Sequence, residues 1–258
     1  MRAGARPFTL ETVRRISIGL SGTLPMTRLL DQQTPQGAAL VKPLTPPAVA
    51  VHEGGLDQIA GRLWPEESAL CAQAVEKRRR EFGAGRTLAR RALAELGGPD
   101  LAILTRPGSR APAWPAGFIG SISHTSDYAV AAVARLGDLA GIGVDVEDWR
   151  RLGQHLEPRI LTARELDWEL AGLEADARRV VVAILFSAKE AFYKLQHPLT
   201  SASLGFCDVE VEIDAGGAFQ LVCLKAAGPF ASGRSFEGRY AVAGERVATA
   251  IWLDAGWR

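Results

Sequence analysis

The sequence predicts an α+β protein in which a helix followed by antiparallel strands occurs twice. A proline-free stretch of good helix formers at 66–96 is followed by apolar, partly alternating runs at 128–135 and 141–147. A second helical stretch at 177–196 is followed by two runs that each fold back at a short turn. No repeat of fixed period accompanies this order, so the duplication is inferred from the elements alone.

The elements have local start and stop signals. Gly-Gly-Pro at 97–99 is expected to end the first helix. Thr162 and Glu165 have capping-box spacing and are expected to start a helix, and Pro198 is expected to end the long helix that follows. The last four strands should form two hairpins, with turns at 214–217 and 244–245.

The predicted domain organisation has three parts. Residues 1–46, rich in Gly, Pro, Thr and Gln, are expected to form an N-terminal extension that is poorly ordered or peripheral. Two subdomains should follow, at 47–139 and 140–258. The extension lacks the continuous apolar segment of a secretory signal, and either Met1 or Met26 could be the start.

The composition is that of an ordinary globular protein. Of the 258 residues, 47% are hydrophobic and 23% are charged, and the formal net charge is +1. The longest apolar run, from Val180 to Phe186, is far too short to span a membrane, and the net charge argues against bulk electrostatic capture of nucleic acid. Three cysteines without metal-type spacing indicate a reducing compartment. We expect a soluble, cytoplasmic protein.

The first helix carries an arginine on its apolar side. Between Glu76 and Arg91 there are seven basic and two acidic residues. At 100° per residue, Arg86 falls within the apolar stripe of the helix, whereas Lys77 and Arg80 point away from it. A buried guanidinium needs an anion, so Arg86 is a candidate phosphate ligand; the alternative is a surface helix whose long basic side chains only cover apolar neighbours.

Two further segments carry candidate polar groups. Gly120 to Thr125, GSISHT, places His124 among small hydroxyl residues where a strand ends, and this histidine is either a phosphate donor or purely structural. In GVDVE, strand alternation puts Asp145 and Glu147 on the same face. Such a pair suits Mg²⁺ shared with a polyphosphate, although a solvated strand face gives the same pattern.

The second long helix contains FSAKEAFYK, residues 186–194. Glu190 and Lys194 stand at i and i+4, the spacing of an ordinary helical ion pair. If this helix packs against the strand of Asp145, Glu190 becomes a third carboxylate at the cation and a candidate base. Lys189 and Lys194 then become candidate phosphate partners.

Four collinear segments, KRRREFGAGRTLAR, PAWPAGFIGSISH, GVDVE and FSAKEAFYK, resemble those of the 4′-phosphopantetheinyl transferases of the surfactin/enterobactin type. The resemblance covers about residues 44–206. It implies a pseudo-twofold pair of α/β-type subdomains with coenzyme A in the cleft between them. It also implies Mg²⁺-dependent transfer of phosphopantetheine to a serine of an apo acyl, peptidyl or aryl carrier protein, with adenosine 3′,5′-bisphosphate as the second product.

The resemblance also assigns roles to individual residues. Asp145, Glu147 and Glu190 are expected to hold the metal, and Glu190, Asp145 and Lys194 to be catalytic. The residues expected to bind coenzyme A are Arg78, Arg86, Arg106, Ser123, His124, Asp145, Lys189 and Lys194. Relatives of this type often serve siderophore, nonribosomal peptide or polyketide synthesis and act as monomers.

Two other functional classes stay open at this point. A non-catalytic module could bind coenzyme A without turnover, although the presence of all three carboxylates argues against it. A nucleic-acid binder could use the basic helix, but the inward position of Arg86 and the near-zero net charge disfavour this reading.

Overall fold

The computed structural model describes residues 39–257, apart from the side chain of Trp168. The elements, numbered in chain order, are β1 (Ala50–Gly55), α1 (Pro65–Leu70), α2 (Glu76–Glu95), β2 (Phe118–His124), β3 (Tyr128–Arg135), β4 (Leu139–Asp148), α3 (Glu157–Ile160), α4 (Ala163–Trp168), α5 (Ala175–Thr200), β5 (Val209–Ile213), β6 (Ala218–Cys223), β7 (Ser235–Ala243) and β8 (Arg246–Asp254). The α+β prediction is confirmed. No helix in the described ranges is both long and apolar enough to cross a membrane.

The strands form two antiparallel sheets, each covered by one long helix. Strand order is β1-β3-β2 in the first sheet and β4-β8-β7-β6-β5 in the second. Helix α2 packs on the first sheet, through Leu88 and Leu93 among others, and α5 packs on β4 and β8 of the second. A third apolar cluster lies between the sheets and includes Val130, Val144 and Ala250. The layers therefore run helix, sheet, sheet, helix.

Burial on both faces explains the apolar sequence of β3. Val130 and Ala132 face the second sheet, whereas Ala131 and Val133 face helix α2. The two faces of β4 meet different layers. Val144 belongs to the apolar cluster between the sheets, and the residues on either side of it in the strand face helix α5. Because β4 lies between the apolar cluster and helix α5, only its side chains that face the helix can contribute to a polar site.

The boundaries of the helices differ from the sequence-based expectation at two places. The predicted helix over 66–96 is two helices, α1 and α2, separated by a turn at 71–75. Pro198 does not end α5, because the helix continues to Thr200 and its last carbonyls find partners, His197 O from Ser201 N and Pro198 O from Arg106. The capping box at Thr162 and the turns of both final hairpins are confirmed.

Residues 39–46 belong partly to the packed structure. Leu40, Val41 and Leu44 are buried in the cluster between the sheets, ahead of the predicted boundary at residue 47. Their backbone is tied to the first sheet, because Val41 N and Lys42 N donate to the Glu53 carboxylate at 2.7 and 2.9 Å. The expectations about Met1 and Met26 concern residues outside the described range, and the boundary between 139 and 140 stays a prediction.

Candidate active site

Strand β4 and helix α5 bring the acidic residues together. Gly143 allows the close approach, because a Cβ at this position would lie 1.9 Å from Ala191 O of the helix. The side chains of β4 that face the helix therefore meet the one helical face that carries Glu190 and Lys194. The long helix therefore packs on the strand of Asp145, as the predicted role of Glu190 requires.

Asp145 is the centre of this arrangement. It is 2% exposed, and its Oδ1 accepts hydrogen bonds from Lys194 Nζ at 2.6 Å and from Ser123 Oγ at 2.8 Å. Lys194 Nζ also lies 3.0 Å from Ser123 Oγ. The other oxygen, Oδ2, is buried and has no hydrogen-bond partner among residues 39–257. An unpaired buried carboxylate oxygen is costly, so this atom requires a cation or a donor.

Glu147 and Glu190 interact electrostatically with Asp145. Burial raises the pKa of Glu147 to about 8, and the charges of Asp145 and Glu190 contribute, opposed by Lys194. Burial also raises the pKa of Glu190, with Lys194 opposing and Asp145 adding to the shift. The raised pKa values of the two glutamates reflect burial and repulsion from neighbouring carboxylates, and a bound cation would relieve that repulsion.

The donor chemistry of this group fits a hard divalent cation. Carboxylate oxygens are the ligands that Mg²⁺ prefers, and Asp145 Oδ2 is left without a partner. Within residues 39–257, however, no three acidic, histidine or cysteine side chains are already gathered in coordinating geometry. The Lys194 ammonium occupies Asp145 Oδ1 instead. The residues expected to hold the metal thus share one neighbourhood, and Lys194 is the positive charge within it.

A second cluster lies where β2 ends beside α2. Arg78 contacts His124 Nε2 through its NH1 atom, and the Glu81 carboxylate lies 3.4 Å from that same NH1 atom and 3.7 Å from His124 Nδ1. Burial lowers the pKa of His124, and Arg78 and Lys194 act in the same direction against Glu81. The contribution of Lys194 shows that the two clusters adjoin.

Arg86 is buried, as its place in the apolar stripe predicts. It is 4% exposed and stacks on the Phe82 ring at 4.4 Å, and its Nε has no hydrogen-bond partner in the described part of the chain. Burial lowers its pKa to about 10, opposed mainly by the charge of Glu67. The structure thus shows a guanidinium that has been desolvated without an anion of its own.

The Ser123 hydroxyl uses its hydrogen-bonding capacity on protein groups. Its hydroxyl donates to Asp145, accepts from Lys194 and lies 3.3 Å from Val146 N. It therefore orients the carboxylate and the ammonium, and its expected contact with coenzyme A stays a prediction.

Lys189 makes its hydrogen bonds away from Asp145, and its expected contact with coenzyme A stays a prediction. Its ammonium is 2% exposed and donates to Glu165 at 2.6 Å, to Ile160 O at 2.8 Å and to Phe206 O at 3.0 Å. These partners enclose the ammonium of Lys189, whereas Lys194, which also contacts three protein groups, keeps a side chain that is 26% exposed. Lys189 fastens α5 to the segments around α4 and β5.

Arg106 is not brought to the histidine cluster either. Its side chain is exposed, and NH1 donates to Pro198 O at 3.0 Å, at the end of α5. No ion pair or hydrogen bond joins it to Arg78 or His124 within residues 39–257. Its expected role at a phosphate stays a prediction.

Two buried glutamates, Glu67 and Glu81, were not among the residues predicted from the sequence. Glu67 is fully buried and accepts from Arg90 at 2.6 and 2.7 Å and from Ile103 N at 2.9 Å. Trp64 N, three residues earlier, also donates to Glu67 at 2.9 Å, whereas Arg90 and Ile103 are distant in the chain and could not be identified as partners by a local signal. Glu81 could have been found, because it stands three and four residues after Arg78 and Lys77.

A cavity of about 180 Å³ opens beside Glu190. It lies between α5 and the segment leading into β5, and its lining includes Lys189, Glu190, Tyr193, Leu204 and Phe206. The walls are mostly apolar, with the carboxylate at one side, so the cavity suits a slender, partly apolar group attached to a reacting centre at Glu190.

Two family models match the chain. The 4′-phosphopantetheinyl transferase N-terminal domain matches residues 66–134, and the 4′-phosphopantetheinyl transferase superfamily matches residues 141–249. The first match contains the histidine cluster, and the second contains all three carboxylates and Lys194.

Individual relatives of the chain include named phosphopantetheinyl transferases. The 4′-phosphopantetheinyl transferase Svp of Streptomyces mobaraensis is 41% identical over 206 residues, 77% of this chain and 82% of the relative. Enterobactin synthase component D of Salmonella typhimurium is 35% identical over 51% of this chain and 54% of the relative. Among solved structures, the holo-[acyl-carrier-protein] synthase of Thermotoga maritima is 24% identical, with a TM-score of 0.37 over 46% of this chain and 65% of that one; so partial an overlap carries no functional argument.

Proposed function

Because this chain belongs to the 4′-phosphopantetheinyl transferase superfamily, we propose that it transfers the 4′-phosphopantetheine group of coenzyme A to a serine of an apo carrier protein in a Mg²⁺-dependent reaction. The phosphopantetheinyl transferase activity itself follows from the family. The cation, the individual residue roles and the second product, adenosine 3′,5′-bisphosphate, are the parts that we infer.

The observation that carries the proposal is the meeting of β4 and α5. Asp145 and Glu147 come from the strand and Glu190 and Lys194 from the helix, and the charge of Asp145 adds to the raised pKa of both glutamates. A phosphoryl transfer with a pyrophosphate leaving group needs charge neutralisation and in-line positioning more than covalent catalysis. Three carboxylates and one lysine in the same neighbourhood would supply that environment.

Asp145, Glu147 and Glu190 would hold the cation, with Asp145 Oδ2 as the oxygen that is free to accept it. When bound, Mg²⁺ supplies positive charge to the pyrophosphate of coenzyme A. Lys194 lies at the same carboxylate and would place its ammonium at the leaving phosphate oxygen. Both effects stabilise charge that grows as the phosphorus–oxygen bond breaks.

Glu190 would act as the base. As the carrier serine oxygen forms its bond to the β-phosphorus, the bond to the bridging oxygen of the pyrophosphate breaks, and adenosine 3′,5′-bisphosphate leaves with the electron pair. The serine proton passes to Glu190, directly or through water, and from there to solvent. Its raised pKa suits this role, because a base with a pKa nearer neutrality holds the proton more readily.

Arg78, Arg86 and His124 would bind the 3′-phosphate of coenzyme A. Arg86 supports this assignment most directly, since its buried Nε lacks a partner among residues 39–257 and a phosphate would supply one. The cavity beside Glu190 would take the pantetheine arm, whose slender and partly apolar shape suits the apolar walls. Arg106 remains a candidate for the neighbouring phosphates.

The likeness to enterobactin synthase component D supports a carrier of siderophore, nonribosomal peptide or polyketide synthesis as the physiological substrate. We also propose a cytoplasmic monomer, because coenzyme A is a cytoplasmic substrate and the residues proposed for both clusters come from one chain.

Intact-mass analysis of an apo carrier protein incubated with coenzyme A tests the proposal. With Mg²⁺ the carrier should gain one phosphopantetheine unit, and excess EDTA should prevent the gain. Asp145→Asn and Glu190→Gln should each lower the rate by at least about 100-fold, because each removes a charge that acts on the reacting phosphate. Asp176→Asn, an exposed carboxylate in the first turn of the same helix, is the matched control.

Other outcomes would redirect the assignment. Full activity in both variants would contradict the proposed roles. Coenzyme A binding without transfer to any of several carriers would favour a non-catalytic binding module. Strong, salt-dependent binding of DNA or RNA would favour the nucleic-acid alternative, which the burial of Arg86 and the pairing of Arg90 with Glu67 disfavour.

A further inference from the structure

A buried carboxylate lies within the proposed 3′-phosphate subsite. Glu81 is 8% exposed, and its Oε2 is 3.4 Å from Arg78 NH1 and 3.7 Å from His124 Nδ1. The Lys77 ammonium is 4.0 Å from Oε1. A negative charge at a phosphate subsite opposes phosphate binding, so its position calls for a compensating role.

The contacts of His124 indicate that role. A guanidinium has only donors, so the contact between Arg78 NH1 and His124 Nε2 requires Nε2 to accept. The proton of the neutral ring is then on Nδ1, which faces the Glu81 carboxylate. A carboxylate at one ring nitrogen fixes the tautomer and the orientation of a histidine, and it stabilises the imidazolium when the other nitrogen becomes a donor.

A phosphate that draws Arg78 to itself would release His124 Nε2. The ring could then take up a proton and donate to the phosphate from Nε2, while Glu81 stays at Nδ1. The other charged groups that act on His124 are Arg78 of the same helix and Lys194 of α5, and both disfavour a charged ring. The charge of Glu81 and a hydrogen bond with the Thr125 backbone both favour the imidazolium.

We propose that Glu81 is a positioning residue of the 3′-phosphate subsite, which holds Arg78 in place and orients His124 so that Nε2 faces the phosphate. This inference rests on the proposed function, because it assumes that the histidine cluster binds the 3′-phosphate. The net effect of Glu81 on binding is therefore favourable, although its own charge repels the ligand.

Calorimetric binding of coenzyme A and of 3′-dephospho-coenzyme A to the full chain tests this role. Glu81→Gln should weaken binding of coenzyme A about tenfold, the scale of one charge-assisted hydrogen bond, and change binding of the dephospho compound less than about twofold. In carrier modification, KM for coenzyme A should rise by a similar factor while kcat changes little. Glu76→Gln, an exposed carboxylate in the first turn of the same helix, should leave both affinities unchanged.

The selectivity between the two ligands separates positioning from a general structural role. Equal weakening of both ligands, or no weakening of either, would overturn the inference. In a His124→Asn background, Glu81→Gln should lose most of its effect, since its action runs largely through the ring. If Glu81→Gln does not fold, Glu81→Asp keeps the charge, shortens its reach and should show the same loss of selectivity to a smaller degree.

Binding measurements on the native protein test the proposed 3′-phosphate subsite separately from the role of Glu81. A native chain with no preference for coenzyme A over the dephospho compound would contradict the proposed 3′-phosphate subsite itself. A native preference that persists in Glu81→Gln would leave the proposed function intact and overturn only the role of Glu81.

Discussion

Two lysines of helix α5 have opposite surroundings. Lys189 is buried against Glu165, with both side chains 1% exposed, whereas the Lys194 side chain is 26% exposed and lies at Asp145. At about 100° per residue the two point roughly 140° apart around the helix. Burial lowers the pKa of Lys189, and its pairing with Glu165 opposes the shift. Lys189 is therefore enclosed within the fold, whereas the Lys194 side chain stays partly exposed beside Asp145.

This contrast predicts different effects of the same substitution. Lys189→Met should lower the free energy of unfolding by about 3–5 kcal/mol, because it leaves the Glu165 carboxylate buried without its cation. Lys194→Met also leaves a buried carboxylate, Asp145, without its cation, so it should destabilise the fold as well, and in addition it should abolish carrier modification. Denaturant unfolding and transfer rates measured on the folded proteins test both. A stable but inactive Lys189→Met would favour Lys189 as a phosphate ligand.

At the scale of elements, the contact between β4 and α5 sets the geometry of the carboxylates. The strand carries a glycine where the helix backbone comes closest, so strand and helix approach without an intervening side chain. The resulting distance decides whether Glu190 and Lys194 reach Asp145. Gly143 thus links the packing of two elements to the spacing of the site.

Gly143→Ala should therefore affect stability and activity together. Its Cβ would overlap Ala191 O, and relief of such overpacking costs about 3 kcal/mol or more in unfolding free energy. Displacement of the helix should also slow transfer, with a larger effect on kcat than on KM for coenzyme A. The control is Gly137→Ala, in the turn before β4, where the added Cβ meets no described atom within 4 Å. Normal activity of a destabilised Gly143→Ala protein would contradict this coupling.

At the scale of the whole molecule, two serine hydroxyls join the sheets. Ser121 Oγ accepts from Val144 N at 3.0 Å, and Ser123 Oγ lies 3.3 Å from Val146 N. These backbone groups are on the edge of β4 that does not pair with β8. The cluster between the sheets covers the same junction with apolar side chains from both halves. The two halves therefore share a core and should unfold as one unit.

Calorimetry tests this cooperativity. The native chain should show one transition with equal calorimetric and van't Hoff enthalpies. Ser121→Ala should lower the stability of the whole chain by about 1–3 kcal/mol, because Val144 N loses its buried acceptor. Ser232→Ala, which removes an exposed hydrogen bond to Leu224 O in a loop, is the control. Two separate transitions in the native protein would contradict a shared core.

The sequence by itself determined the α+β class, the positions of the main helices and strands, the inward place of Arg86 and the shared face of Asp145 and Glu147. These features follow from periodicity and local turn or cap signals, which act between residues close in the chain. Its four motifs also indicated the family that the comparisons establish.

Only the tertiary structure decided which partner each of these faces meets. From the sequence of the helix, Lys189 and Lys194 are equally good candidates for phosphate binding. They differ in their partners, because Lys189 pairs with Glu165 and Lys194 with Asp145, and these two carboxylates lie on separate elements. The same holds for Glu81, whose partner His124 is on a strand of the first sheet. The physical reason is that periodicity fixes the direction of a side chain, whereas its charge environment depends on the order of the sheets and on the close approach at Gly143.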